Sequence, residues 1–263
     1  MPKAAKDKPA YRFTWDTPLI ISPHDKNTVY TGAQMLLKTT NRGETWIELS
    51  GDLTTNDSIK QNGRGHIKYC TITYIAESPL RKGLIWVGTD DGRIHYTPDG
   101  GKSWIDCTKA LTTAGAPSDL WITSIFASHY NPAVVYASKS GYTRDIFSSY
   151  IYKSNDYGKT WSSISSNLPA APVNAIWEDK DNPQLLFCGT DNGLYASISG
   201  GNEWVRFNQI PPVPVKDILV HKRENDLIAA TYGRGIYTAD ITPLKEMNNK
   251  FFENDFYLFN VES

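Results

Sequence analysis

The sequence lacks an excess of charge of either sign and has no long hydrophobic run. Its 263 residues include 27 basic and 28 acidic side chains, which gives a formal net charge of −1 at pH 7. A field this weak disfavours nucleic acid and anionic membrane surfaces, so we expect no nucleic-acid partner. No apolar run approaches the roughly 20 residues that a helix needs to cross a bilayer, so no membrane span is predicted.

Cysteine is scarce, and the N-terminus lacks the apolar core of a signal peptide. The three cysteines, Cys70, Cys107 and Cys188, are odd in number and have no CxxC spacing. This pattern predicts buried free thiols rather than a disulfide framework or a metal site. Residues 1–10 are polar and predict a flexible lead-in. Because HExxH, GxSxG and Walker patterns are also absent, we expect no metal and no cofactor.

What the sequence does contain is one motif, Ser/Thr-x-Asp-x-Gly-x-Thr/Ser-Trp, in four copies. Residues 97–104 and 154–161 match it fully, residues 39–46 have Asn for Asp, and residues 197–204 have Ser and Glu at two places. An Asp that accepts backbone N–H bonds and a Gly with positive φ favour a tight turn, while the Trp buries a large surface. We therefore interpret the motif as structural rather than catalytic. Its structural positions are Asn41, Gly43, Trp46, Asp99, Gly101, Trp104, Asp156, Gly158, Trp161, Gly201 and Trp204.

The motif recurs in a constant frame, with two β-rich runs before it and one after its Trp. Units of about 40–50 residues with four antiparallel strands are typical of β-propeller blades. The sequence therefore predicts an all-β propeller over residues 11–243, with five blades that form a closed ring or part of a larger one. The predicted blades are residues 17–53, 68–112, 120–168, 172–210 and 214–242, with insertions at 51–66 and 138–150. The fifth blade lacks the Trp motif, and residues 11–15, or 256–259 in the C-terminal segment 244–263, are candidates for its missing strand.

The motif turns leave the opposite face of the predicted propeller for ligands. Successive turns of an up-and-down sheet alternate between two faces, so turns between second and third strands lie opposite the motif, as do the links between blades. Loops on a rigid scaffold are where binding residues concentrate. Rings for stacking and charged groups for hydrogen bonding suit a carbohydrate. The candidate ligand-binding residues are Arg64, His66, Asp91, Arg93, Trp121, Tyr142, Arg144 and Arg234.

Carboxylates on the same face are candidates for catalysis. A glycosidase needs two of them roughly 5–10 Å apart across a cleft. Asp90, Asp145 and Asp191 are the candidate catalytic residues, although the sequence does not show which of them approach each other. For Asp90 and Asp191, one alternative to catalysis is that they only stabilise ordinary turns. Another is that they bind a calcium ion together with Asp91. An ion pair with Arg144 is the alternative for Asp145.

Motifs of this kind are known as Asp boxes or BNR repeats, and the chain resembles large bacterial exported proteins of the glycosyl hydrolase, BNR-repeat or sortilin-N-terminal-like type. The matching stretches are residues 15–24, 75–79, 85–92, 152–161 and 232–237. The resemblance is to the C-terminal part of those proteins, which are several times longer, and it implies further blades upstream. It also implies a periplasmic or extracellular location, although this chain has no signal peptide. Asp boxes occur in sialidases too, but the Arg-Ile-Pro segment of sialidases is missing here, so sialidase activity is not expected.

Two functions follow from these observations. The first expectation is a non-catalytic binding or scaffold propeller of the sortilin-like type, which recognises a protein, peptide or glycan on the face opposite the Asp boxes. The alternative is a glycoside hydrolase that acts on a polysaccharide, with a carboxylate pair in a cleft partly built by further blades. A binding protein is expected in preference to an enzyme.

Overall fold

The computed structural model describes residues 2–62, 69–221 and 223–247, and in them it contains five antiparallel β-sheets, three short α-helices and a 3-10 helix at Tyr142–Arg144. Blades 1 to 5 are the sheets β1–β4, β5–β8, β9–β12, β13–β16 and β17–β19. The strands are β1 (Leu19–Ser22), β2 (Asp25–Gly32), β3 (Leu36–Thr39), β4 (Ile47–Glu48), β5 (Ile72–Glu77), β6 (Ile85–Thr89), β7 (Ile94–Thr97), β8 (Ile105–Asp106), β9 (Trp121–Ala127), β10 (Val135–Gly141), β11 (Ile146–Ser154), β12 (Ser162–Ser163), β13 (Val173–Glu178), β14 (Leu186–Thr190), β15 (Gly193–Ser197), β16 (Val205–Arg206), β17 (Val215–Val220), β18 (Asp226–Thr231) and β19 (Ile236–Asp240). The helices are α1 (Ser58–Asn62), α2 (Thr108–Thr113) and α3 (Thr242–Glu246).

The five sheets form a five-bladed β-propeller, which confirms the predicted fold class. Strands are paired in chain order within every sheet, as in an up-and-down blade. The fifth sheet has three strands in the described part of the chain. Residues 11–15 do not supply its fourth strand, because Tyr11 donates to Glu48 (2.8 Å) and the Arg12 backbone N–H donates to Gln34 (2.7 Å), both in or beside blade 1. Residues 256–259, the other candidate, lie outside the described residues.

In the described part of the chain, the core consists of four apolar clusters, each between two consecutive blades. Each combines side chains of one blade with side chains of the next, from the junction of blades 1 and 2 to that of blades 4 and 5. Trp86 of blade 2, for example, is fully buried and packs edge-on against Trp161 of blade 3, with ring centroids 6.4 Å apart. Within the described residues no such cluster joins blade 5 to blade 1.

A glycine near the end of the second strand allows the next blade to approach closely. It is Gly32, Gly88 and Gly189 in blades 1, 2 and 4, and each pairs with the first apolar residue of the third strand. A Cβ at Gly88 would lie 2.3 Å from Ile122 Cγ2, which is far inside van der Waals contact. Blade 5 has Ala230 at this position.

Gly88→Ala is therefore expected to lower the free energy of unfolding by about 1–3 kcal/mol, the usual cost of overpacking a close-packed core. Urea denaturation followed by tryptophan fluorescence measures the change. Gly51→Ala is the matched control, because no atom lies within 4 Å of a Cβ there. A Gly88→Ala midpoint equal to that of Gly51→Ala would show that the blades separate easily at this junction.

In each of the four motif turns, the side chain at the Asp position accepts a backbone hydrogen bond that stabilises the turn. Asp99 accepts from the Ser103 backbone N–H (2.9 Å), and the same bond is made by Asn41, Asp156 and, through its hydroxyl, Ser199. Bonds from Ser103 hold the pKa of Asp99 at about 2. The Trp104 indole N–H donates to the carbonyl of Leu49 in the preceding blade (2.9 Å), so this turn also links blades.

The two insertions, the cysteines and the absence of a membrane span were also predicted from the sequence. The expected loop at 138–150 is instead a long hairpin, because β10 and β11 continue pairing up to Gly141 and Ile146. The expected insertion at 51–66 contains α1 in its described portion. The three cysteines are buried free thiols, as predicted. Among the described residues, no helix has the length and apolar character needed to cross a membrane.

Candidate functional site

A central cavity of about 700 Å³ is the candidate site, and all five blades line it. The first strands of the blades form its wall. The segments that connect consecutive blades and the turns between second and third strands form its mouth. The lining residues are Asp16, Pro18, Leu19, Ile20, Thr73, Tyr74, Ile75, Trp121, Ile122, Thr123, Ser140, Tyr142, Thr143, Asn174, Ala175, Lys216, Asp217 and Tyr232. A cavity of this size accommodates several sugar units or a short peptide.

The polar side chains of the cavity wall come from β-bulges. The pairing register shifts at one residue in the first strand of blades 2 to 5, and these residues are Thr73, Thr123, Asn174 and Lys216. A bulge leaves one residue outside the ladder and redirects its side chain. The Thr73 hydroxyl donates to the carbonyl of Ile122 (2.8 Å), which links the first strands of blades 2 and 3.

The same link repeats around the cavity. The Thr123 hydroxyl donates to the carbonyl of Val173 in blade 4 (2.6 Å), and the Asn174 amide donates to the carbonyl of Val215 in blade 5 (3.1 Å). In each case the acceptor is the residue just before the next bulge. This inner series of three hydrogen bonds therefore fixes the relative positions of blades 2 to 5.

Two carboxylates line the cavity, Asp16 on the link before β1 and Asp217 on β17. Asp217 Oδ1 accepts the backbone N–H of Ile218 (2.9 Å), which leaves its other oxygen without a bond to a described residue. Burial raises the pKa of Tyr74 on the opposite side of the cavity, and the nearby charge of Asp217 raises it further.

A cation stands beside Asp217 but is already paired. Lys216 Nζ lies 2.8 Å from Asp191 Oδ1 and 3.2 Å from Asn174 Oδ1. The Asn174 amide also donates to Asp191 Oδ1 (2.9 Å). These bonds neutralise the ammonium, so the cavity has little net attraction for an anionic ligand.

Aromatic side chains surround the mouth of the cavity. Tyr142 is 62% exposed and Tyr232 is 75% exposed, although both lie on the wall of a concave site. Trp121 lies deeper and donates its indole N–H to the Tyr69 hydroxyl (3.3 Å). Phe147 packs edge-on against Tyr142, with ring centroids 6.4 Å apart, and supports it. Rings that are held in place but open on one face suit stacking against a flat apolar ligand surface.

Of the predicted ligand-binding residues, the structure brings Trp121 and Tyr142 to the cavity. Arg144 forms an ion pair with Asp119 behind them, and Arg93 forms one with Asp106 on the outer strand β8 (2.8 Å). Arg234 is exposed in the turn after β18. Arg64 and His66 lie outside the described residues.

The predicted catalytic carboxylates are not brought together. Asp90 is buried and accepts two bonds from Thr71, while Asp91 is buried and accepts bonds from Thr55 and Thr89. Their contacts thus hold the 2–3 turn of blade 2 against its surroundings. Asp191 bonds Lys216 as described above. Asp145 adopts a left-handed backbone conformation (φ 57°) at the tip of the β10–β11 hairpin. No group of three or more potential metal ligands occurs in the described residues.

Sequence reasoning missed the inner residues Asp16, Asp217, Tyr232 and the bulge positions. A signal was present, since a polar residue stands two places before a buried isoleucine in four first strands. These pairs are Thr73 and Ile75, Thr123 and Ile125, Asn174 and Ile176, and Lys216 and Ile218. A polar residue so close to the core in four successive repeats indicates a shared inner surface.

The chain is similar to known proteins in part of its sequence and in its fold. A probable oligoxyloglucan-reducing end-specific xyloglucanase from Neosartorya fischeri is 32% identical over 89 residues, which is 33% of this chain and 10% of that protein. The GH74 xyloglucanase of Xanthomonas campestris superposes with a TM-score of 0.61 at 18% identity, over 84% of this chain and 36% of its own. No protein-family model matches the chain.

A sensor protein shares the fold as well. The extracellular domain of a putative one-component system from B. thetaiotaomicron superposes with a TM-score of 0.54 at 17% identity, over 81% of this chain and 26% of its own. The chain therefore spans about a third or less of the length of each of these proteins. At these identities the superpositions establish the β-propeller fold.

These comparisons contradict the first expectation, a non-catalytic binding or scaffold propeller of the sortilin-like type. A probable xyloglucanase shares sequence with a third of the chain, and a GH74 xyloglucanase is among the structural neighbours. They favour the alternative, a glycoside hydrolase. The non-catalytic expectation followed from the interpretation of the repeated motif as structural, but a motif that only stabilises turns is equally compatible with an enzyme whose site lies elsewhere in the propeller.

Proposed function

We propose that the chain is the propeller of a glycoside hydrolase that acts on a neutral polysaccharide, with xyloglucan as the first candidate substrate. The observation that carries the proposal is the central cavity, where exposed rings and two carboxylates from different blades line one concave surface. Glycoside hydrolases need both elements, because rings bind the sugar faces and carboxylates move the proton.

Asp217 and Asp16 are the proposed catalytic carboxylates. They stand on the two end blades of the series, so a glycan chain held in the cavity passes between them. In such a site one carboxylic acid protonates the leaving oxygen of the glycosidic bond, and the other carboxylate activates water or attacks the sugar carbon.

Neutral substrates fit the charge of the cavity. The single lysine of the wall, Lys216, is neutralised by Asp191, and the two remaining charged groups are acidic. Such a surface repels uronic and sialic acids. Tyr142, Tyr232 and Trp121 supply stacking surfaces for uncharged glucose and xylose rings. An extracellular location fits this substrate class, and we propose it together with further polypeptide that borders the cavity.

The test is the release of reducing ends from xyloglucan by the full chain, with carboxymethylcellulose as the charged comparison. Tyr142→Ala is expected to raise the KM for xyloglucan by about 2- to 12-fold, which corresponds to the 0.5–1.5 kcal/mol of one ring contact. Tyr130→Ala is the matched control, because Tyr130 is an exposed tyrosine on the turn between β9 and β10, on the opposite face. No hydrolysis of xyloglucan, or equal KM changes in both variants, would contradict the proposal.

A further inference from the structure

One position near the end of the second strand differs in blade 3 from the blades around it. By its pairing with the first strand, this position is occupied by Thr89, Thr190 and Thr231 in blades 2, 4 and 5. Each of these threonine hydroxyls bonds to the backbone of the turn that follows its own strand. Blade 3 has Lys139 at the equivalent place. A side chain that closes a local turn in three blades is thus replaced by a long cation in blade 3.

Lys139 is completely buried, and its ammonium group reaches beyond its own blade. Nζ donates to the carbonyl of Gly92 in the 2–3 turn of blade 2 (3.1 Å) and to the carbonyl of Pro117 in the link between blades 2 and 3 (2.6 Å). Burial lowers the pKa of Lys139 to about 8, while the charges of Asp119 and Asp91 oppose this shift. Lysine is rarely buried in full unless its charge is compensated. Here the compensating groups belong to the two segments that the ammonium joins.

The link that Lys139 holds leads directly to the cavity. It packs so closely on the blade 2 turn that a Cβ at Gly92 would lie 2.4 Å from the carbonyl oxygen of Ser118. Four residues after Pro117 the link ends at Trp121, the first residue of β9, which lines the cavity. A displacement of the link therefore displaces the backbone that carries this ring.

The same link also supports the second ring of the cavity mouth. Asp119, two residues after Pro117, forms an ion pair with Arg144 at the tip of the β10–β11 hairpin. Arg144 belongs to the 3-10 helix that begins at Tyr142, the exposed ring on the cavity wall. Trp121 and Tyr142 thus depend on one short segment, which Lys139 ties to blade 2.

We propose that Lys139 is a positioning residue of the substrate site, which holds Trp121 and Tyr142 in place for stacking on sugar rings. The inference rests on the proposed function, because that function assigns the two rings to substrate. Lys139 acts through the link and touches no substrate, since it is fully buried and does not line the cavity. A threonine, as in the neighbouring blades, is too short to reach the two carbonyls.

The first test follows the position of Trp121 in the absence of substrate. The full chain is labelled with fluorotryptophan, and the fluorine NMR resonance of Trp121 is assigned by its loss in Trp121→Phe. Lys139→Met, whose side chain has a similar length but no donor and no charge, is expected to shift or broaden this resonance. Lys153→Met is the matched control, because Lys153 lies on β11 of the same blade, 5.3 Å from the centre of the Tyr136 ring, and does not line the cavity. It is expected to leave the Trp121 resonance unchanged.

The second test is the separation of KM from kcat on xyloglucan. Lys139→Met is expected to raise KM by about 2- to 12-fold, the range that one ring contact supplies, with kcat unchanged. In a chain that already carries Trp121→Ala, the same substitution is expected to raise KM by less, because part of its effect passes through that ring. Lys139→Gln keeps a donor, so its KM is expected between those of the wild type and Lys139→Met. It takes the place of Lys139→Met if the thermal midpoint shows that variant to be unfolded.

Two results would overturn the proposal. One is an unchanged Trp121 resonance in a folded variant of Lys139, and the other is a fall in kcat with KM unchanged. A wild-type chain that does not hydrolyse xyloglucan contradicts the proposed function alone, because the fluorine resonance still decides whether Lys139 positions Trp121.

Discussion

Asp217→Asn is expected to lower kcat for xyloglucan hydrolysis by about 10²- to 10⁴-fold, the usual contribution of a positioned general acid or base. Asparagine has the shape of aspartate but neither donates a proton from oxygen nor carries negative charge. Its Oδ1 can still accept the Ile218 N–H bond, which is 2.9 Å in the wild type. The fold is therefore expected to persist while the chemistry stops. Initial rates, with the thermal midpoint measured in parallel, separate the two effects.

The pH dependence of kcat/KM distinguishes a catalytic role of Asp217 from a purely structural one. A hydrolase with one acid and one base has a bell-shaped dependence of kcat/KM, and loss of either group removes one limb. Asp217→Asn and Asp16→Asn are expected to remove opposite limbs from the residual activity. The comparison variants are Asp145→Asn and Asp191→Asn, which change the carboxylates predicted from sequence. Full activity in Asp217→Asn together with loss in either comparison variant would refute our assignment.

Asp90→Asn is expected to stabilise the protein at pH 8 by as much as about 4 kcal/mol while changing little at pH 4. Burial raises the pKa of Asp90 from 3.8 to about 7, despite the bonds it accepts from the backbone and hydroxyl of Thr71. Between these two values the native protein holds a proton that the unfolded chain has released. Wild-type stability therefore falls as pH rises from about 4 to 7, and the native state at pH 8 bears a buried charge.

Asparagine removes that charge and keeps the bonds. Its oxygen accepts the Thr71 N–H, and its amide donates to the Thr71 hydroxyl. Urea denaturation at several values between pH 4 and 8 is expected to show a shallower dependence on pH in the variant. Asp16→Asn, which removes an exposed carboxylate, controls for the change in net charge. A variant less stable than wild type at pH 8 would mean that the ionised carboxylate stabilises this turn.

The blade count and strand order were predictable because they rest on local patterns that repeat. Each blade encodes its own turns, through residues such as Asp99 and Gly101, and repetition separates that signal from chance. The position of the first strand followed from its β-branched residues. The incomplete fifth blade was predicted in the same way, because the turn motif that leads into the fourth strand is absent from it.

The cavity was harder to predict because it depends on bulges. A strand with strict alternation would point Thr73 and Tyr74 to opposite faces, and one of the two would be removed from the cavity. The unpaired residue breaks that alternation, so both line it. Asp217 follows the equivalent bulge at Lys216. Bulges have no strong residue signature, and the carboxylates of blades 1 and 5 line the same cavity only because the whole series of blades curves around it.

The inner series of hydrogen bonds joins the blades one after another, and this affects how the cavity is lost when the protein unfolds. Because each blade contacts only its neighbours, the series behaves as a one-dimensional array in which disorder enters at an end and spreads inward. Blade 5 has one stabilising junction and three strands in the described chain, so it is the weakest unit of the array. Asp217 and Tyr232 belong to that unit. We therefore expect the fraction of molecules with a complete cavity to fall through fraying of this terminal unit, before the remaining four blades melt.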